Sequence, residues 1–137
     1  MINDRGEVVN TTRAKKILVI DDEENYCRII KKALESRGGF HVLTATRGRE
    51  GITLAKIQKP DLILLDIMMP APTGIHVAEA LSEDPDTGSI PVIFVTAIVT
   101  KDEVGQSDGT FGGQLIIAKP VIIDELVKKI NSLLPDI

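Results

Sequence analysis

Four short apolar runs, each stopping on a polar residue, constrain this chain more than any other feature. They are Lys16-Ile17-Leu18-Val19-Ile20-Asp21-Asp22, Asp61-Leu62-Ile63-Leu64-Leu65-Asp66, Pro91-Val92-Ile93-Phe94-Val95-Thr96 and Leu115-Ile116-Ile117-Ala118-Lys119-Pro120. Each is of strand length, and helical patterns lie between them. Nearly continuous Ile, Leu and Val suits strands covered on both faces. Strands alternating with helices build βα units around a parallel sheet. In such a sheet the ligand site lies outside the carboxyl ends of the strands. Asp21, Asp22, Asp66, Thr96 and Lys119 are therefore expected to meet at one rim.

The predicted strands are 16–20, 41–45, 61–65, 91–95 and 114–118. The first helix is expected over 23–36, where Cys27, Ile30, Ala33 and Leu34 recur at helical spacing and Gly38-Gly39 stops the run. The second covers 48–58 and ends before Pro60; the third covers 73–83 and ends at Asp84-Pro85. The last begins near Ile123. There Ile123, Leu126, Val127, Ile130, Leu133 and Leu134 form an apolar stripe, with Asp124 and Glu125 in the first turn to suit the helix dipole. Between them, residues 100–113 hold Gly105, Gly109, Gly112 and Gly113. Each interior glycine costs a helix about 1 kcal/mol relative to alanine. The fourth helix is therefore expected to be short, around 101–106, and followed by a loop. Residues 1–14 are mostly polar and aperiodic, and read as a flexible tail ahead of one domain spanning 15–137.

Bulk properties exclude several function classes. A net charge of -4 argues against a nucleic-acid or anionic-membrane partner. No apolar run approaches the ~20 residues needed to span a bilayer, and the N-terminus lacks a signal-type apolar stretch. The single cysteine, Cys27, excludes an internal disulfide and fits a reducing compartment, so the cytoplasm is expected.

Three neighbouring carboxylates repel one another, and a bound cation removes the conflict. Oxygen-only ligands suit Mg²⁺, which accepts one or two carboxylates, waters and a phosphate. The backbone carbonyl of Met68 could add a further oxygen. Asp66 could also attack phosphorus and form an aspartyl-phosphate. Lys119 would then supply a point charge to the phosphoryl oxygens and Thr96 a hydrogen bond. The Lys119–Pro120 bond is of the type that adopts cis at modest cost, and a cis bond is expected to aim the lysine across the rim.

Taken together, these pieces resemble the receiver domains of two-component response regulators. The match is carried by Ile17-Leu18-Val19-Ile20-Asp21-Asp22-Glu23, by Asp61 through Asp66 with Ile67-Met68-Met69-Pro70, and by Gly74, Ile90 through Ala97, and Ala118-Lys119-Pro120. The resemblance runs from Lys15 to about Leu134. It implies a flavodoxin-like, doubly wound, five-stranded parallel sheet of order 2-1-3-4-5 with helices on both faces. It also implies that Asp66 is the phosphoacceptor. Mg²⁺, or Mn²⁺, would be held by Asp22, Asp66 and the Met68 carbonyl, with Asp21 acting largely through water. Thr96 and Lys119 would sense the phosphate. The donor would be a histidine kinase or a phosphotransfer protein, and the output would be binding of a downstream protein. The chain would be a stand-alone switch, monomeric or weakly dimeric on phosphorylation, and not an enzyme toward other substrates.

Three departures from the family pattern stand out. Ile116 occupies a place often held by an aromatic, Val121 a place often held by phenylalanine, and 100–113 is glycine-rich. A phosphorylation-dependent change of order in 100–113 is one expected substitute for a swinging ring. Met68 and Ile98, two residues past the acid and the threonine, cannot hydrogen-bond an attacking water, which predicts slow loss of phosphate. An alternative reading is a phosphorylation-independent module using the surface of the fourth helix, fifth strand and last helix. A phosphatase with an aspartyl-phosphate intermediate ranks last, because Met68 stands where such enzymes place a second acid.

Overall fold

In the computed structural model, which describes residues 4–6, 14–98, 103, 109–111 and 113–134, strand β1 (Lys16–Ile20) lies inside a mainly parallel sheet. It pairs with β2 (His41–Ala45) on one side and β3 (Leu62–Leu65) on the other. Beyond β3 come β4 (Val92–Thr96) and then β6 (Gln114–Ala118), all parallel. The order of these five strands matches the expectation. The sheet itself has six strands, not five. The extra one is β5 (Thr110–Phe111), which pairs antiparallel with β6 and occupies the edge. Gly113, at φ 83°, makes the turn between them in a conformation that L side chains rarely adopt. Two residues are too few to show a strand period, so this strand is not legible from pattern.

Four helices are present among the described residues. They are α1 (Glu24–Gly38), α2 (Gly48–Gln58), α3 (Gly74–Glu83) and α4 (Ile123–Leu133). The short helix expected at 101–106 lies outside the described residues except for Glu103, and the expected tail does so except for 4–6 and Ala14. No described helix is long and apolar enough to cross a membrane.

Alternation along each strand divides the core into two layers. Ile17, Val19, Leu62, Leu64, Ile93 and Val95 face α1 and α4, where Cys27, Ile30, Leu34, Leu126 and Ile130 complete the layer. Leu18, Ile20, Ile63, Leu65, Val92 and Phe94 face α2 and α3, against Ala55, Val77 and Leu81. Period-two alternation with both faces apolar explains why the runs read as continuous Ile, Leu and Val. Each fully buried aliphatic side chain contributes about 1.5–3 kcal/mol.

The strand ends stay in register past the apolar run. Asp21 N–H donates to the Ala45 carbonyl at 3.0 Å, Asp66 N–H to Ile20 at 3.0 Å, and Lys119 N–H to Thr96 at 2.9 Å. The Lys119–Pro120 bond is cis, as is Ala71–Pro72.

Candidate functional site

Asp21 follows β1 and is 2% exposed; Asp66 follows β3 and is 5% exposed; Thr96 closes β4 and is fully buried. Lys119 follows β6 and reaches back over the rim. Its Nζ lies 2.7 Å from Asp21 Oδ2, 3.7 Å from Asp66 Oδ2 and 4.0 Å from Glu23 Oε1. Four strand ends thus deliver four buried or half-buried polar side chains to one place. Asp22, in the β1–α1 turn, is exposed and completes the acidic group. The ligand oxygens of Asp21, Asp22 and Asp66 all lie within 4.8 Å of one another.

Local backbone explains the orientation of the two buried acids. Asp21 Oδ1 accepts the Glu23 N–H at 2.9 Å, so this carboxylate stabilises the entry to α1, whose N-cap Glu23 makes no side-chain cap of its own. With Oδ2 on Lys119, both Asp21 oxygens are engaged. Asp66 Oδ1 accepts the Met68 N–H at 3.2 Å. Its Oδ2 sits 3.7 Å from Lys119, beyond hydrogen-bond distance. Met68 itself is exposed. The Ile98 N–H approaches Thr96 Oγ1 at 3.4 Å, and the Thr96 side chain hydrogen-bonds Asp66.

Charge and burial act against each other here. Burial pushes the Asp66 carboxyl above its ordinary range and the Asp21 charge adds to it; Lys119, the Met68 N–H and Thr96 pull the other way without prevailing. Burial alone would lower the Lys119 ammonium, but the hydrogen bond to Asp21 and the charges of Asp21, Asp66 and Glu23 hold it above its ordinary value. Lys119 stays charged, and Asp66 is an acid under strain from its surroundings. Three clustered carboxylates with oxygen donors only are a fit for Mg²⁺ or Mn²⁺.

All five residues singled out at strand ends are brought together. Sequence reasoning missed Tyr26. Its ring lies under the Lys119 ammonium, 4.1 Å from Nζ to the ring centroid. Tyr26 precedes Cys27 on α1 and lies off the apolar stripe, and nothing in the pattern links it to a residue 93 positions later. Cys27 is core, as expected. Burial and the Asp21 charge push its thiol up to about 11, and its Sγ donates to the Asp21 carbonyl at 3.3 Å, which leaves it a poor nucleophile. Ile116, in the place of the absent aromatic, is buried beside Phe94. An aromatic does reach this region from elsewhere. Phe111 on β5 meets Phe94 edge-on, with centroids 6.1 Å apart.

Comparison with known proteins bears on this geometry. The response regulator receiver domain family matches residues 17–131. Protein PilH of Pseudomonas aeruginosa is 37% identical over 123 residues, covering 87% of this chain and 97% of PilH. Polar-differentiation response regulator DivK of Brucella anthropi is 32% identical, covering 89% of this chain and 98% of DivK. In structure, the Vibrio cholerae chemotaxis protein CheY4 superposes with a TM-score of 0.75 over 89% of this chain and all of that one; at 24% identity this likeness concerns the fold alone.

Proposed function

The chain belongs to the response regulator receiver domain family, whose members are signalling switches, and from that we propose that Asp66 accepts a phosphoryl group in a divalent-cation-dependent transfer. The observation that carries the proposal is the difference between the two buried acids. Both oxygens of Asp21 are held by a backbone N–H and by Lys119, whereas Asp66 Oδ2 lies 3.7 Å from the ammonium, outside direct hydrogen-bond distance. Burial is common to the two acids; the carboxylate whose oxygen is not tied up by a direct hydrogen bond to Lys119 is the one left to attack.

In this reading the Asp66 oxygen forms a new P–O bond as the donor's bond to phosphorus breaks. The leaving group departs with the electron pair; a phosphohistidine donor leaves as imidazole after protonation by solvent. Bound Mg²⁺ or Mn²⁺, held by Asp22, Asp66 and the Met68 carbonyl with Asp21 through water, would neutralise charge on the phosphoryl oxygens. Lys119 supplies the charge on the opposite side, and Thr96 donates its hydroxyl. When that hydroxyl turns to the phosphoryl group, it gives up its hydrogen bond to Asp66, and the Ile98 N–H that it accepts must follow it.

Residues 15–137 would form the switch unit, acting in the cytoplasm with a histidine kinase or phosphotransfer protein as donor and a downstream protein as reader. The test is intact mass after incubation with Mg²⁺ and a small-molecule acyl phosphate. One phosphoryl group is expected on the wild type, and none without Mg²⁺ or in Asp66→Asn. No label on the wild type, where an established receiver is labelled, would replace this proposal with a phosphorylation-independent interaction module. Ile116, buried and aliphatic, is the feature that favours that second reading.

A further inference from the structure

We propose that Tyr26 is a positioning residue for Lys119, its ring holding the ammonium at the rim when a divalent cation occupies the carboxylates. This deepens, and rests on, the reading of Lys119 as the phosphoryl contact.

Among the described residues, the ammonium has three anionic neighbours and one neutral one. The anionic neighbours are Asp21 at 2.7 Å, Asp66 at 3.7 Å and Glu23 at 4.0 Å. The neutral one is the Tyr26 ring at 4.1 Å. A cation engaging Asp21 and Asp66 takes the first two and repels the ammonium as well. Glu23 is 70% exposed, on a long side chain that water screens, and holds little. A lysine left with that partner alone would sample bulk water, and recapturing it for the phosphoryl oxygen would cost side-chain entropy. The ring does not compete for the metal. It attracts a cation through its quadrupole, the more strongly where water is excluded. The Lys119 side chain is 12% exposed, which meets that condition.

Tyr26 is itself well placed to act as a fixed support. It sits in the first turns of α1, half-buried, and packs against the core layer shared by α1 and α4. The same turn is anchored to the site by the Glu23 N–H on Asp21. The support, Asp21 and Asp22 therefore belong to one β1–α1 segment, while Lys119 arrives from the end of β6.

The first measurement is by NMR on the metal-free wild type. The Lys119 ε-methylene protons, assigned by their loss in Lys119→Arg, should be shifted upfield by the ring current; Tyr26→Phe should keep the shift and Tyr26→Met should abolish it. The second is calorimetric titration with Mg²⁺ and then with beryllofluoride as the phosphoryl analogue. Tyr26→Met should weaken beryllofluoride binding about three- to tenfold, with Tyr26→Phe within about twofold of wild type. Affinity for Mg²⁺ alone should be unchanged in both, which a general disturbance of the fold would not give. An absent ring-current shift in the wild type overturns the proposal even if Tyr26→Met does not fold. So does equal weakening in Phe and Met variants, or wild-type binding by Tyr26→Met. A wild type that binds Mg²⁺ but no beryllofluoride removes the phosphoryl reading and this proposal together, whereas wild-type binding with a silent Tyr26→Met removes this proposal alone.

Discussion

Burying Asp66 beside Asp21 sets two carboxylates at one rim with the Lys119 ammonium between them. The Asp66 carboxyl stands above its ordinary range, chiefly through burial. A carboxyl raised in the fold contributes stability below its unfolded pKa, and that contribution is lost as pH rises through the folded value. In the absence of divalent cation, Asp66→Asn should therefore be more stable than wild type at neutral pH, by a few degrees in Tm. The two proteins should converge in acid, below the ordinary carboxylate range. Urea unfolding across a pH series in chelator checks this; identical midpoints at neutral pH would mean that Lys119 offsets the burial in full. A second expectation at this scale concerns phosphate lifetime. Met68 and Ile98 are exposed, flank the acid and the threonine, and offer no side-chain group to orient water. Met68→Asn or Ile98→Glu should speed loss of phosphate from Asp66, by up to about a hundredfold if the new group acts as a base. Following the phosphorylated mass over time gives the answer.

Strand ends are where the chain was most legible, and the reason is physical. An apolar run stops where the strand leaves the covering helices, so Asp66 and Thr96 mark the rim by their polarity alone. The starts were less legible. Asp61 and Pro91 were expected inside strands, but Asp61 turns its carboxylate to the Lys16 N–H at 2.7 Å and Pro91 contributes only its carbonyl to Ile63. Helix α3 shows how a packed element can fix the backbone position of Asp66. Thr73 caps its N-terminus by accepting the His76 N–H, and Gly74 brings the helix backbone onto the end of β3. A Cβ at Gly74 would collide with the Asp66 carbonyl oxygen and come within 2.7 Å of the Ile67 Cα. Backbone cannot yield as a side-chain tip would. Gly74→Ala should cost about 1–3 kcal/mol of stability, as overpacking does. It should also slow phosphorylation of Asp66 by moving the residue. Chemical denaturation read together with labelling rate tests both. A stable, normally labelled variant would show that α3 can slide.

At the scale of the molecule, the parallel sheet and its two-layered core follow from the alternation of runs, since parallel strands need crossover helices on both faces, while the strand order came from the family resemblance. The site followed from the same rule, because one rim collects every strand end. What escaped was tertiary: Tyr26 under Lys119, and Phe111 against Phe94, are contacts between residues that share no pattern. A ligand that binds only the assembled rim stabilises the whole fold by mass action, by about 2.7 kcal/mol at a hundred times its Kd. Mg²⁺ should therefore raise the thermal midpoint of the wild type, and much less that of Asp22→Ala, as scanning calorimetry would show. The ion pair from Lys119 to Asp21 bridges 98 positions of sequence. A chain emerging during synthesis, or clipped before β6, carries all three acids but lacks their counter-charge. Its buried acids would face one another with no ammonium to offset their charge. Completion of the rim thus waits on β6, and a copy without that strand holds the acids but not the lysine that pairs with them.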